Sequence, residues 1–419
     1  MVAVDAAASG CRPPAAPTVT LNPVTASIEK SAAAIVGRAV STVGGLGLRA
    51  AGATVDTLAG AGLPAARALG ADAESIWHYV SGSPNLEGVT FSNPEAPSPR
   101  VSGEFKVAID MARRPGRPTR TIRVDTPALA ADVEPRALAA TWFGHASVLV
   151  ELDGLRILTD PVFGRRCSPT QTVGPARLHP CPVTVADLPP LDVVLISHDH
   201  YDHLEMDTVA RIAATQPGAM FVVPLGVAAH LVSWGVPPER IRQADWWGTV
   251  EITGAGGTTV DFTCGPARHF SGRALQRDLT QWASWAVVGP THRVFFSGDT
   301  GYTERFADLG SRLGPFDLTL IAVGAYDPVW PDVHIDPEEA VAVHRMVSGP
   351  AGTDAVMIPI HWGTFSLARH PWAEPITRLL PTAGRNATTV MVPQPGGTID
   401  LTHRVGTGLT DPQWWEASA

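Results

Sequence analysis

Leu195-Ile196-Ser197-His198-Asp199-His200-Tyr201-Asp202-His203 is the stretch on which the reading of this chain turns. An apolar run feeds directly into three imidazoles and two carboxylates, and packing alone gives no reason for that. His198 and His200, two apart, face one metal ion. Asp202 and His203, adjacent, face a second. Imidazole nitrogen and carboxylate oxygen suit Zn²⁺, and Fe²⁺ or Mn²⁺ accept the same donors.

Outward from this stretch, other short apolar runs also end in residues able to do chemistry. Val260 to Cys264 ends shortly before His269, and Val294-Phe295-Phe296 ends in Ser297-Gly298-Asp299. Leu318 to Val323 ends in Gly324-Ala325-Tyr326, and Val356 to Ile360 ends in His361. Such runs read as buried strands, which line their end residues along one sheet edge. Asp153-Gly154 between two apolar runs signals a hairpin. Helices alternate with the strands. One covers 205–215, and another starts at Asp336-Pro337-Glu338-Glu339 with Asp336 as N-cap, Pro337 at N1 and Glu339 at N3. The pattern predicts an α/β fold with two sheets face to face and helices outside.

The strand ends complete a dinuclear set. His198, His200 and His269 are the predicted ligands of the first ion, and Asp202, His203 and His361 those of the second. Asp299 is the predicted bridge. Each ion keeps an open position, and a hydroxide held between two such ions attacks phosphoesters, esters or amides. His179, His230, His292, His344, His370 and His403 lack this placement and read as structural.

Longer motifs occur in register: Thr141-Trp142-Phe143-Gly144-His145-Ala146-Ser147, Leu158 to Phe163, Leu195 to Leu204, Ser297 to Tyr302, His334 to Ala340, and Ile360 to Phe365. Together they resemble the N-acyl-phosphatidylethanolamine-hydrolysing phospholipase D-like family of the metallo-β-lactamase superfamily, in its bacterial form. Before residue 95 only Ser83-Pro84-Asn85 and Phe91-Ser92-Asn93-Pro94 share faint likeness to those bacterial members. The resemblance implies an αββα four-layer sandwich, two Zn²⁺ ions and phosphodiester hydrolysis. It adds two active-site candidates, Asp160 and His334, to Asp202. Asp160 would orient a ligand histidine. His334 would hydrogen-bond a phosphoryl oxygen or protonate the leaving alkoxide. His145 would support the site from behind. A lactonase or thioesterase of the same fold, and a non-catalytic binding protein, are the alternatives.

The 419 residues divide by texture. Residues 1–90 are an Ala/Gly-rich extension, and 91–138 a Pro/Arg-rich connecting segment with Arg113, Arg114, Arg117, Arg120 and Arg123. Residues 139–405 carry the hydrolase domain, and 406–419 a C-terminal tail. A formal net charge of -9 argues against nucleic acid as a partner. The expected partner is a phospholipid or another phosphodiester. Peripheral membrane contact and a homodimer stay open. Cys11, Cys167, Cys181 and Cys264 form no CxxC pair and read as reduced thiols, with a Cys167–Cys181 bridge as the alternative. No signal peptide is evident, so a cytoplasmic location, or one peripheral to the membrane, is expected.

Overall fold

The computed structural model describes residues 64–99, 116–129, 133–273, 276–349, 354–403, 405–406 and 413–416. Residues 1–63, with Cys11, and the arginines at 113 and 114 lie outside them.

Two large sheets form the frame. The first has eight strands in the order Val405–Gly406, Thr398–Asp400, Leu138–Gly144, Ser147–Leu152, Leu155–Thr159, Val193–Leu195, Met220–Pro224 and Ile241–Ala244. The second has seven, in the order Thr389–Val390, Val356–Ile360, Leu318–Ala322, Arg293–Phe296, Ser284–Val288, Thr259–Gly265 and Thr249–Thr253. Asp153 and Gly154 both take positive φ, the left-handed turn that an Asp-Gly hairpin uses.

Alternation along one strand shows how the layers stack. Val193 and Leu195 join a core that also contains Phe262, Trp285, Phe295 and Leu320 of the second sheet. Val194 and Ile196 join a separate core with Val209 and Ile212 of helix Met206–Thr215. Side chains on a strand point alternately to opposite faces. A strand buried on both faces therefore reads as an unbroken apolar run, as here. Helices Arg305–Leu313, Pro337–Ser348 and Glu374–Arg385 interleave with the strands of the second sheet in sequence. The layers are those of the expected αββα sandwich.

Parallel pairing decides where chemistry gathers. Leu155–Thr159, Val193–Leu195 and Met220–Pro224 pair in parallel, and so do Arg293–Phe296, Leu318–Ala322 and Val356–Ile360. Parallel neighbours bring their C-terminal ends to one edge, where open α/β sheets hold ligands. Asp160, His198, Asp299 and His361 all follow such ends.

The described segments 64–99 and 413–416 are part of this body, with Ile76, Val80, Trp414 and Trp415 in its core. Helix Ala73–Val80 is capped by the Asp72 side chain, which accepts from Ser75 N. In the segment read as a tail, Trp414 and Trp415 are buried and pack on Trp362. Cys167, Cys181 and Cys264 are free thiols.

Candidate metal centre

The backbone is bent sharply where the ligand candidates leave the sheets. His145, Asp160 and His361 all have positive φ, a conformation costly for residues with a Cβ and common at functional sites. Gly298, before Asp299, has φ +54°, and a Cβ there would lie 2.6 Å from Ala283 O and 2.7 Å from Ser197 Cβ. Only glycine lets the 297–299 turn lie this close to the 197–198 turn.

Three imidazoles converge on one point. His200 Nδ1 lies 2.8 Å from His198 Nε2 and 3.3 Å from His269 Nε2. A second group gathers around Asp202, whose Oδ2 lies 3.3 Å from His361 Nε2 and 3.4 Å from His203 Nε2. Asp299 stands between the groups. Its Oδ2 is 3.0 Å from both His203 Nε2 and His361 Nε2, 3.8 Å from His269 Nε2 and 3.9 Å from His198 Nε2. All seven sequence-predicted ligands are thus brought together.

Several outward-facing nitrogens have partners that fix the tautomer. His269 Nδ1 donates to Val333 O at 2.8 Å, and His203 Nδ1 to the buried Asp160 carboxylate at 2.7 Å. Ser197 Oγ gives its proton to Asp160 and accepts from His198 Nδ1 at 2.9 Å. Each Nε2 then turns a bare lone pair inward, the arrangement a metal needs. Among the described residues, the buried atoms Asp299 Oδ1 and His203 Nε2 have no hydrogen-bond partner. Buried polar atoms of this kind call for a ligand. The donor set therefore fits divalent cations.

Charge is arranged to match. Burial drives His198 and His269 well below the usual histidine range, and their crowded imidazoles add to it. Burial works against ionisation of Asp299, yet His203, His361 and His334 hold its carboxyl well below the usual range. Asp202 is lowered likewise against burial, with His203 and His145 as its main partners. Against burial, Asp299 and Asp202 in turn hold His203 well above the usual histidine range and His361 up at about 9, so these two rings carry protons that a metal would displace. Neutral imidazoles and ionised carboxylates are the protonation states that bind metal.

Asp160 lies on the outer side of the ligand rings, bonded directly to His203 Nδ1 and, through Ser197, to His198 Nδ1. His334 Nδ1 is 3.9 Å from Asp299 Oδ2, and its ring stacks 5.1 Å from that of His361. Burial lowers its pKa to about 3. His145 is closer to the site than its motif suggests. Its ring is 4.0 Å from that of His361, and its Nε2 lies 2.9 Å from Asp202 Oδ2. Asn93 and Ser197 were not singled out by spacing, because neither residue type stands out as a ligand. The Phe91 to Pro94 motif is the one signal that could have found Asn93.

A model described as Beta-lactamase superfamily domain matches residues 155–362. An uncharacterized protein of Mycobacterium tuberculosis, Rv0906, is 48% identical over 356 residues, covering 83% of this chain and 91% of that protein. The chain belongs to the metallo-β-lactamase superfamily. It is a metal-dependent hydrolase of that fold. Within the superfamily it is similar to N-acyl-phosphatidylethanolamine-hydrolyzing phospholipase D 1 of Caenorhabditis elegans, with 41% identity over 237 residues, 55% of this chain and 65% of that one. Among solved structures, a metallo hydrolase of Ignicoccus hospitalis, Igni18, aligns with a TM-score of 0.47 and 24% identity over 62% of this chain and 97% of that chain.

Proposed function

We propose that the chain is a zinc-dependent phosphodiesterase of phospholipase D type, acting on N-acyl-phosphatidylethanolamine or a related phospholipid. The observation that carries the reading is the convergence of two donor groups on Asp299, with His334 facing the same carboxylate. The likeness to the nematode phospholipase D supports the choice of substrate. His198, His200 and His269 would hold one ion and Asp202, His203 and His361 the other, with Asp299 shared. Five imidazoles and two carboxylates suit Zn²⁺, while Fe²⁺ and Mn²⁺ also accept these donors. When bound, the ions supply Lewis-acid stabilisation of phosphoryl oxygens and a water acidified toward neutrality.

The protein's own groups do the rest. Asp202, held by His145, orients the attacking water. Asp160 holds His203 in one tautomer. His334 is neutral at pH 7 and offers an N–H to a phosphoryl oxygen as negative charge builds there. The expected products are a phosphatidic acid and an N-acylethanolamine. Peripheral contact with a bilayer and a cytoplasmic location belong to this proposal. Among the described residues no helix is long and apolar enough to cross a membrane.

The test is one assay run on bis-(p-nitrophenyl) phosphate, N-acyl-phosphatidylethanolamine and a lactone or thioester under the same conditions. Phosphodiester turnover that a chelator abolishes and zinc restores is expected. Turnover of the carbonyl substrates alone would instead identify a lactonase or thioesterase, and binding without turnover a non-catalytic protein.

A further inference from the structure

Asn93 belongs to neither large sheet and to no predicted ligand set, yet it holds a ligand candidate by its backbone. Its Nδ2 donates to His269 O at 2.7 Å, and its Oδ1 accepts from His269 N at 3.0 Å. The same Oδ1 accepts from Trp282 Nε1 at 3.2 Å, so the orientation of the amide is fixed by three partners. A primary amide is the side chain that can both donate to a peptide C=O and accept from its N–H at once. On the other side of His269, Nδ1 donates to Val333 O. Main chain and ring of His269 are thus both restrained.

Among the described residues, His198 has no such brace from the N-terminal segment. His198 follows Val193–Leu195 by three residues and is held through Ser197, whose N and Oγ are both bonded to Asp160. His269 follows Thr259–Gly265 by four residues, and its own N–H and C=O are held by Asn93. It depends on an outside contact for its position, and Asn93 supplies it across 176 residues of sequence.

We propose that Asn93 is a positioning residue that holds His269 in place and so sets the affinity of the metal position formed by His198, His200 and His269, leaving the second position little changed. This rests on the two-ion reading above. Loss of outer partners of metal ligands typically costs roughly 10–100-fold in affinity. A drop of that size at one position, with the other retained, is the signature expected.

The experiment uses the full chain and Co²⁺ as both probe and metal. Asn93→Asp, which keeps the shape but loses the donor to His269 O, and Asn93→Ala are compared with wild type. Asn85→Ala is the control, because Asn85 lies in the same segment and its amide donates to Asp245 rather than to a metal-site loop. Metal per chain, binding isotherms and the visible Co²⁺ spectrum are read beside thermal unfolding. Wild type and Asn85→Ala should take two ions. The Asn93 variants should take one with near wild-type affinity and the other about 10–100-fold more weakly. Two wild-type affinities in a folded Asn93 variant overturn the proposal, and so does loss of both together. Failure of both Asn93 variants to fold, with Asn85→Ala folded, would make the contact a requirement of the fold and also overturns it. Independently, the His269 amide should stay protected from hydrogen exchange in metal-free wild type, and rapid exchange there contradicts the assignment. A wild type that binds fewer than two ions would refute the two-ion reading instead.

Discussion

Asp299 Oδ2 lies 3.0 Å from two imidazoles, His203 and His361, and 3.8–3.9 Å from His269 and His198 of the other donor group, so one carboxylate is asked to serve both groups. Asp299→Ala should therefore lose both ions and turnover, measured as metal per chain and rate. Retention of two ions would refute the shared role. Asp160 acts at one remove. Asp160→Asn keeps a partner for His203 Nδ1 but removes the charge that fixes the ring, and metal affinity should fall by roughly 10–100-fold. At this scale the sequence was most legible where ligands are neighbours in the chain. His198, His200, Asp202 and His203 are separated by one or two residues, so their type and spacing carry the meaning. Asn93 and His145 were harder to place because their contacts, with His269 and Asp202, are made across the fold. No local pattern encodes such a contact.

The element that follows His334 starts with a capping box. Asp336 Oδ1 accepts from Glu339 N at 2.9 Å, and Glu339 Oε2 accepts from Asp336 N at 3.0 Å. Asp336→Ala should cost about 1 kcal/mol of stability, seen in urea unfolding; no change would mean the cap contributes nothing. Pro337–Ser348 also buries His344, whose Nδ1 is 2.9 Å from Thr319 Oγ1. Burial lowers its pKa from 6.5 to about 4. In that interval the unfolded chain binds a proton that the folded protein refuses, so stability rises with pH from about 4 to 6.5 and is lost on acidification. Between pH 7 and pH 5 the loss from this group is on the order of 2 kcal/mol. His344→Gln should lose less stability over that range, and equal slopes for both proteins would contradict the assignment. Strands and this helix start were readable because apolar runs and caps are local signals. The fate of His344 was readable only as structural, since burial depends on what packs above it.

For the whole molecule, the two sheets bring four separate strand ends to one edge, and parallel pairing is what makes them meet. That much could be anticipated from apolar runs ending in ligands. What could not is the way distant segments close the body. Trp414 packs at tilted angles among Trp142, Trp362 and Trp372, and its Nε1 donates to Val392 O at 3.2 Å. Composition alone left those residues as a tail. Trp414→Ala should cost about 3–5 kcal/mol, measured by thermal or urea unfolding, and an unchanged midpoint would remove the C-terminal residues from the core. Ser83 and Asn85 bind Asp245 from the opposite end of the chain. A segment without chemistry of its own thereby becomes part of the scaffold. In the proposed reaction this scaffold directs water to phosphorus. Hydrolysis of N-acyl-phosphatidylethanolamine in ¹⁸O-water, with and without chelator, tests it directly. The label is predicted in the phosphate of the phosphatidic acid and only when metal is present; label in a released fatty acid, or turnover that survives chelation, would contradict it.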